Sequence, residues 1–307
     1  MAKKQYSGLF FIGDQHLASR VPGFRKDHYP TTALSKLRWC LEYANKNDLV
    51  PILLGDLFHW PRDNANWLVG DIIAMIKNPV LAIAGNHDCY ENDLGDDDSL
   101  MLLVKAGKIQ ILTEKSPWHG VVNEKNVVIG GASFKESLPT KYDAEGSLVF
   151  WVAHHEIRVP GYLDGGNITP YDIPGVDAVI NGHIHRQLKP FEKGTTAWLT
   201  PGSIVRIRRD DANKAKKPAA LRIDVTEKGW ETSTIEIPHK PYEEVFYEQV
   251  VEENPENDES LFVKGLAELE ARRTETGEGI RDFVEDNIKG CSKDVAREIH
   301  KLLEEVL

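Results

Sequence analysis

The chain has 307 residues, 41% hydrophobic and 28% charged, enough to bury a sizeable core in one large α/β domain with an appendage or in two domains. No run approaches the ~20 consecutive apolar residues of a membrane span. Three scattered cysteines without CxxC spacing (Cys40, Cys89 and Cys291) argue against a disulfide framework and a cysteine zinc site, and for a reducing cytoplasmic setting. The net charge of −11 is concentrated: residues 240–307 hold 19 acidic and 9 basic side chains, and the remainder is nearly neutral. Overall acidity therefore says little against a nucleic-acid substrate, although it makes the C-terminal segment a poor surface for one.

In chain order, Gly8 to Ile12 is an apolar run that ends at Asp14, so it is read as a first core strand and not as a signal sequence. Ala33, Leu34, Leu37, Leu41 and Ala44 recur at helical spacing, predicting a helix over 31–47 capped by Thr31 or Thr32. A second strand is expected over 49–54, a helix over 66–77, a third strand over 80–84 and a short helix over 99–106. Later strands are expected at 127–129, 148–153, 178–180, 197–199, 221–225 and 234–237. A boundary is placed near Pro238-His239-Lys240-Pro241, giving a catalytic domain over 1–238 and an acidic, mainly helical segment over 239–307. Its last helix carries an apolar stripe of Val295, Ile299, Leu302, Leu303 and Val306, suited to docking a partner, pairing with a second copy or packing on its own domain.

Five polar clusters follow the expected strands: Asp14-Gln15-His16, Gly55-Asp56, Gly85-Asn86-His87-Asp88, His154-His155 and Gly182-His183-Ile184-His185. Alone, Asp-x-His reads as a turn or surface pair, Gly-Asp as a turn, and His154-His155 as one core and one exposed histidine. Gly-His-Ile-His reads as a surface strand or a metal site, while Gly-Asn-His-Asp after an apolar strand is the stronger signal. Together, at the carboxyl ends of strands where ligands gather in open α/β sheets, they read as one site. Carboxylates, an amide and imidazoles suit manganese, iron or zinc better than calcium. Their number suits two ions about 3.5–4 Å apart with one shared carboxylate, an arrangement matched to phosphate esters.

With these residues assembled, the sequence resembles the calcineurin-like metallophosphoesterase superfamily, whose signature runs D-x-H, G-D, G-N-H-D/E, H, G-H-x-H. The resemblance implies a β-sandwich flanked by helices with two divalent ions at one rim, manganese being expected and iron or zinc the alternatives. It implies Asp14, His16, Asp56 and His185 around the first ion, and Asp56, Asn86, His154 and His183 around the second. His154 is taken over His155 because family members place the ligand directly after the apolar run; the neighbour stays open.

Within the family, Gly55-Asp56-Leu57-Phe58-His59, the late Thr200-Pro201-Gly202-Ser203-Ile204-Val205-Arg206 and the Pro238 to Tyr242 exit resemble the nuclease subunit of SbcCD-type DNA-repair complexes, including compact bacteriophage versions. That likeness implies DNA phosphodiester hydrolysis, with His87 protonating the leaving oxygen and His59 orienting the scissile phosphate. It further implies an ABC-type ATPase partner, and a homodimer is a second expectation; no membrane partner is expected. Arg20, Arg62, Arg206 and Arg208 are the candidate DNA contacts, with Arg25, Lys26, Arg209 and the expected hairpin-loop lysines Lys214, Lys216 and Lys217 behind them. The rival readings are a phosphoesterase acting on a small phosphodiester, nucleotide or phosphoprotein, and a non-catalytic scaffold.

Overall fold

A computed structural model of the chain describes residues 5–22, 24–159, 166–248 and 297. The elements run β1 (Gly8–Ile12), α1 (Tyr29–Lys46), β2 (Leu49–Leu53), α2 (Asn66–Met75), β3 (Val80–Ala82), α3 (Ser99–Lys105), β4 (Ile109–Ile111), β5 (Trp118–Val122) and β6 (Lys125–Ala132). They continue with β7 (Leu148–Ala153), β8 (Ala178–Asn181), β9 (Phe191–Lys193), β10 (Thr196–Leu199), α4 (Asp211–Ala215), β11 (Ala219–Thr226), β12 (Gly229–Glu236) and α5 (Tyr242–Val245). The chain divides into two units, Met1–Gln249 and Val250–Leu307. The helices expected beyond residue 252 lie outside the described residues, apart from Arg297.

Two six-stranded mixed sheets, ordered β12-β11-β1-β2-β3-β4 and β5-β6-β7-β8-β10-β9, form a sandwich. Strand periodicity explains the layers, because successive side chains point to opposite faces. On β1, Leu9 and Phe11 join Val50, Ile52, Phe150, Val152 and Ile180 in the core between the sheets. The alternate residues Phe10 and Ile12 pack outward against α1 and α2 through Leu37, Cys40 and Ile72. On the second sheet Trp151, Val149 and Val179 face outward with Trp198 in a third cluster. Strands buried on both faces read as unbroken apolar runs, which is why β1, β2 and β7 stand out in the sequence.

Several local features differ from the sequence reading. α1 begins at Tyr29, with His28 as its N-cap and Pro30 in its first turn, because proline's fixed φ suits a helix start and displaces the expected threonine cap. β4 and β9 have three residues each, and β5 alternates between exposed and covered positions, too short or too mixed for a strong apolar signal. β12 begins at Gly229, earlier than expected, as a largely exposed edge strand. The segment read as a hairpin loop holds α4, capped by Asp210, whose carboxylate accepts from the Asn213 amide. Among the described residues no helix is long and apolar enough to cross a membrane.

Parallel pairing sets the position of the site. β1 pairs in parallel with β2, β2 with β3, and β7 with β8. Their carboxyl ends therefore lie at one rim, and the loops that follow converge there.

Candidate metal centre

The loop after β1 turns sharply to deliver two side chains. Asp14 and His16 adopt φ of 27° and 42°, and Asp56 after β2 and His183 after β8 adopt 51° and 65°. Four non-glycine residues in the left-handed region cost about 1–3 kcal/mol each, and such strain collects at functional sites. It is held by backbone ties between the loops: His16 N–H donates to Asp56 O at 2.8 Å, Leu17 N–H to Leu57 O at 2.8 Å and His59 N–H to Leu17 O at 2.9 Å. Tyr29 of α1 donates its hydroxyl to His16 O at 2.9 Å.

The structure brings Asp14, His16, Asp56 and His185 together, with one ligand atom from each lying within 4.8 Å of the others. His16 Nε2 and His185 Nε2 face each other at 3.0 Å, and His185 Nε2 lies 3.3 Å from Asp14 Oδ2. Asp56 Oδ2 sits between two imidazoles, 3.4 Å from His16 Nε2 and 3.3 Å from His154 Nε2. On the far side of Asp56, His183 Nδ1 is 3.0 Å from Asn86 Oδ1, and the His154 and His183 rings are 5.2 Å apart. His154 Nδ1 donates to Leu54 O at 2.6 Å, which fixes the ring so that Nε2 is the nitrogen turned toward Asp56. His155 lies outside the clustered ligand candidates; its backbone N–H donates to Asn181 Oδ1 at 3.0 Å, and burial, then the neighbouring His154, pulls its imidazole down to about 4.

These donors fit a pair of divalent cations. Both carboxylate oxygens of Asp14 and Nε2 of His154 are buried without a hydrogen-bond partner, a costly condition unless positive charge is supplied. Asp14, His16, Asp56 and His185 would hold one ion, and Asp56, Asn86, His154 and His183 the other. Burial opposes ionising Asp56, yet His154 and His16 outweigh it and hold the carboxyl well below its usual range. The same pairing acts on His154, where burial opposes the charge but Asp56 raises the imidazole to about 9. His16 goes the other way, kept well below its ordinary value by burial, with Asp56 only a partial offset.

His59 and His87 stand beside this cluster. Their rings stack at 5.2 Å, and the His87 ring is 4.7 Å from that of His16. His87 N–H donates to Asp56 Oδ1 at 2.9 Å, while its Nδ1 donates to His59 O at 2.9 Å and leaves Nε2 free. Burial, then His87, pulls His59 down to about 4, so its ring is neutral at neutral pH.

Three bracing groups were not singled out in the sequence. Asp88 accepts from Phe58 N–H at 3.0 Å, Leu57 N–H at 3.2 Å and Gly85 N–H at 3.0 Å, locking the loops after β2 and β3 together. Burial and then Asp56 push its carboxyl up to about 7. Asn181 joins the loops after β7 and β8 through His155 O at 2.9 Å and Gly182 O at 2.6 Å. Tyr29 is the third. Asp88 lay inside a flagged cluster; nothing local marked the other two.

The candidate DNA contacts divide. Arg20 and Arg208 are exposed, and Arg208 lies within electrostatic reach of His59. Arg62 is half-buried, paired with Asp98 at 2.9 Å and laid over the Tyr90 ring at 4.2 Å. Arg206 is placed inside the fold, its guanidinium donating to Lys216 O and Lys240 O at 2.7–3.0 Å, and so it braces backbone instead of presenting itself to solvent. Lys216 also turns inward, donating to Ser203 Oγ and to Val205 O at 2.8 Å. Arg25 is buried, pairing with Asp27.

Hard oxygen and imidazole donors gathered where parallel strands end define a metal-dependent hydrolase of phosphate esters. The calcineurin-like phosphoesterase family matches residues 9–187, a stretch that contains every metal-ligand candidate, and the chain belongs to that family. Solved structures with some likeness include an archaeal phosphodiesterase at 14% identity, covering 74% of this chain and 99% of that one with a TM-score of 0.38. A hypothetical protein from Thermus thermophilus has 14% identity, 75% and 100% coverage and a TM-score of 0.44. A predicted phosphoesterase from Streptococcus pneumoniae has 10% identity, 76% and 94% coverage and a TM-score of 0.33. No curated protein matches the chain in sequence.

Proposed function

We propose that this phosphoesterase hydrolyses the phosphodiester bonds of DNA, with manganese as the working metal. The observation that carries the reading is the pair of histidines outside the ligand set, His59 and His87, stacked against each other at the edge of the metal centre. Two ions held there would lower the pKa of a water and neutralise the phosphoryl oxygens. The chain's own groups then handle orientation and protons. With His16 Nε2 given to a metal ion, its proton would sit on Nδ1, which faces His59 Nδ1 at 3.4 Å. His59 would then keep its hydrogen on Nε2, available to a non-bridging phosphate oxygen. His87, whose Nδ1–H is tied to His59 O, carries and releases a proton at Nε2, which suits it to protonate the departing 3′-oxygen.

Resemblance to SbcCD-type nucleases in Gly55-Asp56-Leu57-Phe58-His59 supports DNA as the substrate, and exposed Arg208 near His59 supplies a phosphate contact. The test is to supply manganese and compare duplex DNA, single-stranded DNA, bis-p-nitrophenyl phosphate and cyclic AMP. Cleavage of DNA supports the reading. Cleavage of small diesters with both DNAs left intact overturns it in favour of a small-substrate phosphodiesterase.

A further inference from the structure

A second cationic site lies apart from the metal centre. A cavity of about 270 Å³ opens between the start of α1 and the segment Val205-Arg206, closed on another side by the chain after β12. Four cationic side chains line it: Arg25, Lys36, Arg206 and Lys240. Among the described lining residues one carboxylate, Asp27, stands against them, and both its oxygens are occupied by Arg25 at 2.8 and 3.0 Å. Glu243, outside the wall, offsets part of the charge on Arg206. Asp27 lends Lys36 a partial electrostatic offset, so one carboxylate on the described wall stands against four cations.

Buried cations are ordinarily paired, because removing a charge from water is costly. Lys36 is 7% exposed, and its ammonium gives one hydrogen bond, to Ile204 O at 3.1 Å. Two of its three protons remain. Burial, then repulsion from Arg206 and Arg25, pulls it down to about 7, with Asp27 only a partial offset. Arg206 spends three of its five N–H groups on backbone carbonyls and keeps two. Several donors and an excess of positive charge in a small cavity match an anion with several acceptor oxygens. The wall segment is also the partition from the metal centre: Ser203 N–H donates to His185 O and Ile204 N–H to Gly13 O, while Ile204 O faces Lys36.

We propose that this cavity binds a phosphate dianion, either inorganic phosphate or the terminal phosphate of a mononucleotide, with Lys36, Arg206 and Lys240 as its cationic wall. The volume admits a phosphate bearing a small substituent and falls below the roughly 300–1,000 Å³ of pockets for larger ligands.

The experiment titrates the full chain, stripped of metal and kept in EDTA, with inorganic phosphate and separately with adenosine monophosphate. Chloride holds ionic strength constant, and calorimetry reads the binding. Saturable binding of one phosphate per chain is expected, weakened about tenfold in Lys240→Gln and more in Lys36→Met, and unchanged in His87→Ala. Both lysine variants keep manganese-dependent turnover of bis-p-nitrophenyl phosphate. Binding of inorganic phosphate alone names the free ion as ligand, and tighter binding of the nucleotide names the monoester. Absence of saturable binding, or binding that His87→Ala weakens and Lys240→Gln does not, overturns the proposal. Should Lys36→Met fail to fold, the exposed Lys240 decides the matter alone.

Discussion

Gly85→Ala adds a single methyl group at the point where the loops after β2 and β3 touch. A Cβ at residue 85 would run into Asp56 Oδ1 and would lie 2.5 Å from Asp56 N and 2.8 Å from Asp56 Cγ, where ordinary contact begins near 3.4 Å. Relief requires the Asp56 backbone and carboxylate to move by at least about 0.6–0.9 Å, and misplacement on that scale costs on the order of 100-fold in rate. Overpacking adds about 1–3 kcal/mol of destabilisation, because Asp56 is buried and tied by His87 N–H. The assay pairs metal content after dialysis against manganese with turnover of bis-p-nitrophenyl phosphate, and thermal melting accompanies both. Gly70→Ala is the control: it lies in α2, its Cβ would meet nothing within 4 Å, and it should leave activity intact and raise stability by up to about 1 kcal/mol. Normal metal content and turnover in Gly85→Ala would refute the geometric role assigned to Asp56.

Three further outcomes follow from the same geometry. His87→Ala should retain its metals and lose about 10²–10⁴-fold in turnover, checked by metal analysis and steady-state kinetics; normal turnover removes His87 from proton transfer. His155 is held near 4 when folded against an ordinary 6.5, so the unfolded chain takes up a proton that the folded chain refuses as pH falls from 6.5 to 4. In EDTA the wild type should therefore lose up to about 3 kcal/mol relative to His155→Gln across that window, read from urea unfolding, and a pH-independent difference rejects the assignment. Arg206→Ala should destabilise the fold by leaving Lys216 O and Lys240 O without donors, whereas Arg208→Ala should weaken DNA binding and leave the melting temperature unchanged; the reverse pattern contradicts the placement of both.

The sandwich and most of its strands were legible because β1, β2, β3, β7 and β8 are apolar on both faces and stop at glycine or a polar ligand candidate. The cluster was legible for the same reason, each motif being a local departure from an apolar run. Contacts across long separations were not. Tyr29 reaching His16 O is a pairing that no spacing encodes, and so is Asn181 joining two loops. Arg206 follows a Pro-Gly-Ser turn and Lys216 falls in an expected hairpin loop, so both read as solvated loop charges. Their inward placement depends on contacts with Lys240 after β12 and with Val205, which is a property of tertiary packing. The exposed edge strand β12 was clipped because alternation with polar residues weakens the apolar signal at its start.

The proposed chemistry requires Asp56 to stand between two cations. Anomalous scattering at the manganese edge, from crystals grown in manganese, tests this directly. Two peaks should flank Asp56, one among Asp14, His16 and His185 and the other among Asn86, His154 and His183. A map with no peak there, or with a single peak remote from Asp56, would contradict it.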